Sequence, residues 1–379
     1  MGRDKLRIRE YFSEVETEKE YNGYFCSVGE ALTIAILGSI CGLRNTNQIH
    51  QWASSQRVSE FLSGYFLIND IPCYYWLLCL LKLIKPDSFN RCFMKWAQSL
   101  RPNGAETEAY TISFDGKTIR STGKMGSYEN PLHILSAHLA ELGITIGQKT
   151  VGEKSNEIPA MRELIGLLKI QGCMIVADAL NCQKETAKAV IEGKGDYLFS
   201  VKDNQKILKE DIEGYVQDRH LQKAMDTAAT VEKTSGRVER RTAYASGDIG
   251  WLSGKEEWEG LSCIGAVNTQ VSSKKGETNE WHYYICSRGL TAEELLRHAR
   301  LEWSVEIMHW LLDVHFDEDF CRVGDRNVQQ NLNIFRKIAL NTVKGYKTKT
   351  ASKRPISRLK FDCLLEPGNI LSVLTANEN

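Results

Sequence analysis

Residues Cys173–Asp178 read Cys-Met-Ile-Val-Ala-Asp, and this stretch decides the class of fold that the chain can adopt. Its apolar residues follow one another without alternation, which is typical of a strand buried on both faces of a sheet. Tyr197–Val201 (YLFSV) has the same character, and a helical pattern over Cys182–Glu192 separates the two runs. Two buried strands joined by a helix form the unit of parallel sheets, so we predict an α/β protein.

Three further strands precede this unit along the chain. They are predicted at Tyr110–Phe114 (YTISF), Leu132–His138 (LHILSAH) and Ile144–Val151 (ITIGQKTV). Ser155-Asn156-Glu157 can then cap a helix that runs from Pro159 to about Lys169. The resulting order, β-β-β-α-β-α-β, predicts a mixed sheet.

The segments on either side of this sheet have different sequence patterns. Four helical patterns fill the first hundred residues, at Ser27–Gly42, Asn47–Leu62, Tyr74–Ile84 and Phe89–Leu100. Arg101-Pro102-Asn103-Gly104 is the clearest boundary signal in the chain. We therefore predict a helical N-terminal domain at 1–103, an α/β domain at 104–345 with a β-rich insertion at about 225–288, and a basic C-terminal tail at 346–379.

Composition excludes several classes of protein. The 379 residues are 42% hydrophobic and 25% charged with zero formal net charge, so no global excess of charge indicates a polyanionic partner. Basic residues are concentrated at Lys344–Lys360, which contains no acid and can be either a solvated tail or an arm that contacts phosphates. The longest apolar run, Cys73–Leu81, is too short to span a bilayer. Eleven scattered cysteines without a CxxC pair indicate reduced thiols in a cytoplasmic protein.

Two aspartates follow predicted strands directly. Asp115 comes after the first strand and Asp178 after the fourth, and loops at the carboxyl ends of strands commonly present reactive groups. Each also has an ordinary structural reading, because Asp-Gly is a frequent turn and Ala-Asp-Ala can cap a helix.

A third acid lies on a predicted amphipathic helix, Ala299–Arg322. The stripe predicted to face the core comprises Ala299, Trp303, Ile307, Trp310 and Val314, with Glu302, Glu306, His309 and Asp313 along its flank. Glu306 lies nearest the apolar centre, roughly 60° away by helical geometry. A buried acid must be protonated, paired or bound to metal, whereas on a surface helix Glu306 would simply lie at the solvent boundary.

Together, Asp115, Asp178 and Glu306 form a set of oxygen ligands that suits a hard divalent cation such as Mg²⁺. Such ions assist in-line displacement at a phosphodiester. The three acids also repel one another, so without metal at least one is expected to hold a proton. The sequence has no Gly-rich phosphate loop, no His-Glu-x-x-His and no nucleophile elbow that would indicate other chemistry.

The order of strands and acids resembles the ribonuclease-H-like core of DDE transposases. Several stretches resemble more closely the ISAs1 / H-repeat-associated branch of IS4-type DDE transposases. These stretches are Phe114–Arg120 (FDGKTIR), Lys154–Ile158 (KSNEI), Ile175–Ala179 (IVADA), Ser200–Gln205 (SVKDNQ), Ser235–Arg241 (SGRVERR), Trp303–Glu306 (WSVE) and His309–Val314 (HWLLDV). The helical first hundred residues also resemble the domain that accompanies this core in that branch.

This resemblance places the catalytic, metal-binding acids on Asp115, Asp178 and Glu306. The wider signature around the third acid, Tyr-(2)-Arg-(3)-Glu-(6)-Lys, falls on Ala299, Glu302, Glu306 and Asp313, so only the glutamate is shared. The missing Arg and Lys contact DNA phosphates in the family, and the candidates to replace them are Lys202, Arg237, Arg241 and His309. Glu302 remains an alternative third acid, although it lies roughly 100° from the apolar stripe.

The resemblance implies a fold and a function. The fold is a ribonuclease-H-like mixed sheet with a β-rich insertion, preceded by an all-helical N-terminal domain. The function is transposition, with Mg²⁺ or Mn²⁺ as cofactor. Its partners are double-stranded DNA, as terminal inverted repeats and target, and a second copy of the chain when DNA ends are paired. No membrane partner is expected, and the location would be the bacterial cytoplasm at the nucleoid. Two alternatives stay open: an inactive relic that still binds DNA, and a Mg²⁺-dependent nuclease.

Overall fold

One mixed sheet organises the structure, a computed structural model that describes residues 7–19, 25–101, 110–123, 130–152, 157–234, 236–274 and 276–377. Within these ranges, the strands are β1 (Thr111–Ile119), β2 (Leu132–Leu139), β3 (Ile144–Val151), β4 (Met174–Ala177), β5 (Asp196–Val201), β6 (Asp226–Thr234), β7 (Arg237–Ser246), β8 (Cys263–Ser273) and β9 (Gly276–Cys286). Their order across the sheet is β3-β2-β1-β4-β5-β9-β8-β7-β6.

The strand directions confirm the predicted α/β class. β1, β4 and β5 are parallel neighbours, whereas β2 and β3 continue the sheet antiparallel on one side. β9 pairs antiparallel with β5 on the other side, so the β-rich insertion extends the same sheet instead of forming a separate one. β4 and β5 are almost wholly buried, as their uninterrupted apolar runs predict.

Six helices precede the sheet: α1 (Ile8–Phe12), α2 (Val28–Ile40), α3 (Thr46–Ala53), α4 (Gln56–Phe66), α5 (Tyr74–Leu83) and α6 (Pro86–Ser99), counted over the described part of this region. α2 begins with a capping box in which the Ser27 hydroxyl accepts from the Glu30 amide and the Glu30 carboxylate accepts from the Ser27 amide. The sequence pattern predicted one helix at Asn47–Leu62, and the structure has two. Ser55 adopts an extended conformation at the break and precedes the first turn of α4.

The remaining helices are α7 (Glu157–Leu167), α8 (Lys184–Glu192), α9 (Lys206–Gln217), α10 (Arg219–Ala224), α11 (Ala292–Glu302), α12 (Ser304–Phe316), α13 (Arg326–Thr350), α14 (Ile356–Leu365) and α15 (Gly368–Thr375). The predicted caps at Ser155 and Asn156, the boundary after Asn103 and the motif residue Ser235 lie outside the described residues. The domain limits therefore stay predictions.

α13 joins the N-terminal helices to the sheet. Asn331 donates from Nδ2 to the carbonyl oxygens of Leu81 (2.9 Å) and Ile84 (3.2 Å), at the end of α5. Further along, Asn341 accepts from the Thr145 amide at 2.8 Å and donates to the Thr145 carbonyl at 2.7 Å, on β3. One helix thus bonds to both regions.

The segment expected to be a basic tail is folded. α14 and α15 bury Ile356, Leu359, Ile370 and Leu374 against the rest of the protein. The expectation of a tail was wrong because it relied on the lysines of Lys344–Lys360. The apolar residues of this segment, which have helical spacing, were not taken into account. Within the described ranges, no helix has both the length and the apolar character needed to cross a lipid bilayer.

Candidate active site

Asp115 and Asp178 lie side by side because of the register between β1 and β4. The parallel pairing runs from Thr111 opposite Met174 to Phe114 opposite Ala177, and the two aspartates are the next residues on their strands. Neighbouring strands are about 4.8 Å apart, so the two backbones present their carboxylates at one edge. Asp115 does not end its strand, as the sequence suggested, because β1 continues to Ile119 against β2.

Asp178 serves as a cap as well as a member of this pair. Its Oδ1 accepts from the Asn181 amide at 3.3 Å and from the Asn181 side chain at 3.0 Å, which closes the turn after β4. The residue is exposed to solvent. Asp178 can therefore cap the turn after β4 and also present its carboxylate beside Asp115.

Glu306 joins these acids from the first turn of α12, a helix that packs on β1 and β2. Burial raises the pKa of Asp115 to about 7, and the carboxylates of Glu157, Asp178 and Glu306 contribute to this shift. The electrostatic coupling shows that acids distant in sequence converge on Asp115. A carboxyl with a pKa near 7 is partly protonated at neutral pH, as expected for acids that repel one another.

Glu302, the alternative third acid, lies at the end of α11 near the same group. Burial, followed by the charge of Asp178, raises the pKa of Glu302 to about 8, while Lys202 acts in the opposite direction. The structure therefore brings Glu302 and Glu306 to the acids of the sheet, and proximity alone does not choose between them.

The helix that carries these glutamates differs from the sequence expectation. α11 ends at Glu302 and α12 begins at Ser304, so the predicted single helix is two. Trp303, Ile307 and Trp310, placed in the core by the sequence pattern, are 62%, 57% and 58% exposed. The buried face carries Val305, Met308, Leu312 and Phe316. α12 is apolar on two sides, so periodicity could not decide which side packs, and Glu306 is exposed.

His309, which the sequence led us to expect in contact with DNA, lies inside the protein against Asp115. Its Nε2 is 3.5 Å from Asp115 Oδ2, and the ring is 8% exposed. Burial, with Lys337 and Lys117 nearby, holds the pKa of His309 well below its ordinary value, so the imidazole is neutral. A neutral, buried ring is suited to packing beside the acid and not to contact with a phosphate.

The other expected DNA-contacting residues lie in two places. Lys202 follows β5 and is exposed, close enough to Glu302 to affect its pKa. Arg237 and Arg241 lie on β7, where both pair with Glu239; the Arg237 Nη2 to Glu239 Oε2 distance is 2.8 Å. The structure thus places Lys202 next to the acids, and it gives the two arginines an acidic partner.

Lys117 is a residue whose role the sequence did not reveal. It follows Asp115 by two positions on β1, and its Nζ contacts Asp313 on α12 and lies 2.8 Å from Glu318 Oε2. Asp313 occupies the position that holds a lysine in the family signature. The positive charge at this point is therefore that of Lys117 on β1, and the negative charge is that of Asp313 on α12. The signal that could have revealed this pair was the presence of a lysine in the motif Phe114–Arg120 and of an aspartate in the motif His309–Val314.

The acids fit a divalent cation by their chemistry. Among the described residues, no three acidic, histidine or cysteine side chains stand close enough, as placed, to enclose a metal ion. The donor set is nevertheless made of carboxylate oxygens, the ligands that Mg²⁺ and Mn²⁺ prefer. Burial, followed by the charges of Glu157, Asp178 and Glu306, raises the pKa of Asp115, and a cation bound here would neutralise this charge.

The strand order β3-β2-β1-β4-β5, with β2 antiparallel to both of its neighbours and β1, β4 and β5 parallel, is that of a ribonuclease-H-like core. A model of the family described as "Transposase DDE domain" matches residues 106–342, and one described as "DDE_Tnp_1-associated" matches residues 9–97. The first match covers more than half of the sequence, and this chain belongs to the DDE transposase family. The resemblance to its H-repeat-associated branch is confirmed. Members of the family generally use divalent metal ions.

Relatives in bacteria agree with this assignment. The "H repeat-associated putative transposase YhhI" of Escherichia coli K12 is 31% identical over 345 residues, which cover 88% of this chain and 90% of that protein. The "Putative protein YbfL" of the same strain is 31% identical over 341 residues, 87% of this chain and 89% of that protein. Among solved structures, a piggyBac transposase synaptic complex with hairpin DNA aligns with 97% of this chain and 77% of its own at 9% identity and a TM-score of 0.44.

Proposed function

We propose that this protein is an active transposase that cleaves DNA at the ends of an insertion sequence and joins the freed 3′-hydroxyl to target DNA. One observation carries the proposal: the parallel register that sets Asp115 beside Asp178, with Glu306 close enough to raise the pKa of Asp115. Three acids from two strands and one helix provide the ligand set that phosphodiester chemistry with divalent cations needs.

Asp115, Asp178 and Glu306 would hold the cation, which we propose to be Mg²⁺, with Mn²⁺ able to substitute. When bound, such ions activate the attacking oxygen and stabilise the leaving oxygen of an in-line displacement. The protein residues orient this set: the sheet fixes the two aspartates, the packing of α12 fixes Glu306, and His309 packs against Asp115.

The DNA would approach from the solvent side of α12. The exposed side chains of Ile307 and Trp310 lie on the helix that carries Glu306, exposed Trp303 directly precedes this helix, and exposed Lys202 is beside Glu302. Aromatic side chains can stack on bases, and a lysine can contact phosphate. We propose double-stranded DNA, as terminal inverted repeats and as target, for the ligand. A homodimer would hold two ends together, in the cytoplasm at the nucleoid.

The test is strand cleavage on DNA that carries the inverted repeats flanking the coding region. We expect cleavage that requires Mg²⁺ or Mn²⁺ and falls roughly a thousandfold in the variant Asp115→Asn, because loss of several kcal/mol of charge stabilisation has an effect of that size. Equal activity of wild type and variant would contradict the proposal. Equal cleavage of DNA without the repeats would indicate a nuclease instead.

One observation favours an inactive DNA-binding relic as the second candidate. The signature positions for Arg and Lys hold Glu302 and Asp313, which remove two positive charges from the face near the acids. A relic would bind the repeats in a mobility-shift assay with no cleavage under any divalent metal, and Asp115→Asn would leave that binding unchanged.

A further inference from the structure

Glu157 lies at the active site although its sequence position suggested only a helix cap. It is the first residue of α7, and its carboxylate rests on the backbone of β1 next to Asp115. A Cβ atom added to Gly116 would collide with both carboxylate oxygens of Glu157. The Asp-Gly pair on β1 is therefore not a turn: Gly116 leaves the space that the Glu157 carboxylate fills.

A histidine on β2 holds the Glu157 carboxylate in this place. His133 Nε2 lies 2.8 Å from Glu157 Oε1, and His133 Nδ1 lies 2.7 Å from the Thr118 hydroxyl, the residue opposite on β1. The contact with His133 thus engages Oε1 and fixes the orientation of the Glu157 carboxylate.

The Glu157 carboxylate lies over Gly116, the residue that directly follows Asp115 on β1. Two carboxylates placed next to each other destabilise the protein unless a proton or a cation lies between them. His133 engages Glu157 Oε1 on the side of Thr118.

We propose that Glu157 is a fourth acid of the catalytic site, which binds a divalent cation together with Asp115. The inference rests on the proposed function, since it assigns a further ligand to the same site. It predicts that Glu157, Gly116 and His133 act as a unit: the glycine makes room for the carboxylate, and the histidine orients it.

Cation binding to the intact protein tests this unit directly. We expect the variant Glu157→Gln to bind Mn²⁺ at least about tenfold more weakly in titration calorimetry, a loss in the range seen when partners in a metal site are removed. Its melting temperature without metal should be equal to or higher than that of wild type, because the repulsion with Asp115 is gone. The stabilisation that Mn²⁺ gives to wild type should shrink in the variant.

Glu163→Gln is the matched control, because Glu163 lies on the same helix and pairs with Lys149 on β3 at the surface. It should bind Mn²⁺ as wild type does. A purely structural role for Glu157 predicts the opposite of our expectation, namely a lower melting temperature without metal and unchanged Mn²⁺ affinity. That result would overturn the inference while leaving the proposed function in place.

A second pair of variants tests the space over Gly116. Gly116→Ala should lower both the melting temperature and the Mn²⁺ affinity, since the new Cβ displaces the carboxylate. Adding Glu157→Ala should restore the melting temperature but not the affinity; recovery of both would overturn the inference. If wild type itself binds no Mn²⁺ while it folds, the proposed function fails together with the inference, which distinguishes that outcome from failure of Glu157 alone.

Discussion

The acids of this site are held in two different ways. Asp115 and Asp178 are placed by hydrogen bonds between β1 and β4, in a register that fixes both residues at once. Glu306 and Glu302 lie on either side of the break between α11 and α12, where side-chain packing sets the position. Backbone pairing fixes a residue by its place in the sequence, whereas helix packing fixes it by the face that is buried. The strand acids are therefore the better defined half of the site.

The largest expected effect separates the two glutamates of the helical half. Glu306→Gln should lower DNA cleavage roughly a thousandfold, as expected for Asp115→Asn, because a proposed metal ligand is lost. Glu302→Gln should retain activity within about tenfold, the lower limit for a group that acts through another ligand. Rates of strand cleavage at saturating Mg²⁺ make the comparison. The reverse order of effects would make Glu302 the third acid.

A buried ion pair links the two halves, and its loss should be the largest effect on stability. Lys117 is 14% exposed and Glu318 is 1% exposed, so Lys117→Met leaves a buried carboxylate without its cation. We expect a loss of about 3–5 kcal/mol in the free energy of unfolding, measured by urea denaturation. Lys149→Met, which breaks the surface pair with Glu163, should cost no more than about 1 kcal/mol. Similar losses in the two variants would contradict a connecting role for Lys117.

The two faces of α12 should respond differently to truncation. Leu312→Ala on the buried face should cost about 2–5 kcal/mol of stability, because it leaves a cavity. Trp310→Ala on the exposed face should change stability by less than about 0.5 kcal/mol. If this face meets DNA, Trp310→Ala should weaken binding by about 1–3 kcal/mol, the size of one stacking contact, in a fluorescence anisotropy titration. Loss of stability in Trp310→Ala would show that this face is covered in the folded protein.

The smallest expected effect concerns pH and the strand acids. The pKa of Asp115 is raised in the folded protein to about 7 from an ordinary value of 3.8, so the folded state binds this proton more tightly than the unfolded state does. Without metal, Asp115 therefore adds stability as the pH falls through about 7, and loses that contribution as the pH rises. The difference in melting temperature between wild type and Asp115→Asn, followed from about pH 8 to about pH 5, should move in favour of wild type. A difference that stays constant with pH would show that the pKa of Asp115 is not raised in the folded protein.

The strands and the aspartates that follow them could be predicted from sequence because a fully buried strand has a distinctive, uninterrupted apolar run. Met174–Ala177 and Tyr197–Val201 belong to such runs, and Asp178 directly follows the first of them. The fold class followed from the same strands. Local patterns were enough here because each strand carries its own evidence of burial.

The rest depended on contacts between distant parts of the chain. The buried face of α12 could not be predicted, since Ile307 and Trp310 are as apolar as Val305 and Met308. Glu157 was interpreted only as a helix cap, because its carboxylate approaches the backbone of a glycine about forty residues earlier, Gly116, and no local pattern reports such an approach. The pairing of Lys117 with Asp313 needed the same knowledge of tertiary structure.

The long helix α13 couples the folding of the N-terminal helices to the folding of the site. Its 25 residues span roughly 37 Å, with polar side chains bonded to α5 on one stretch and to β3 on another. A protease cut or a truncation near residue 103 would therefore not release an independent catalytic fragment, because the exposed flank of α13 would leave apolar side chains and amide groups without partners. The chain is expected to melt in a single cooperative transition. A partner that binds the N-terminal helices is expected to affect the acidic site through α13.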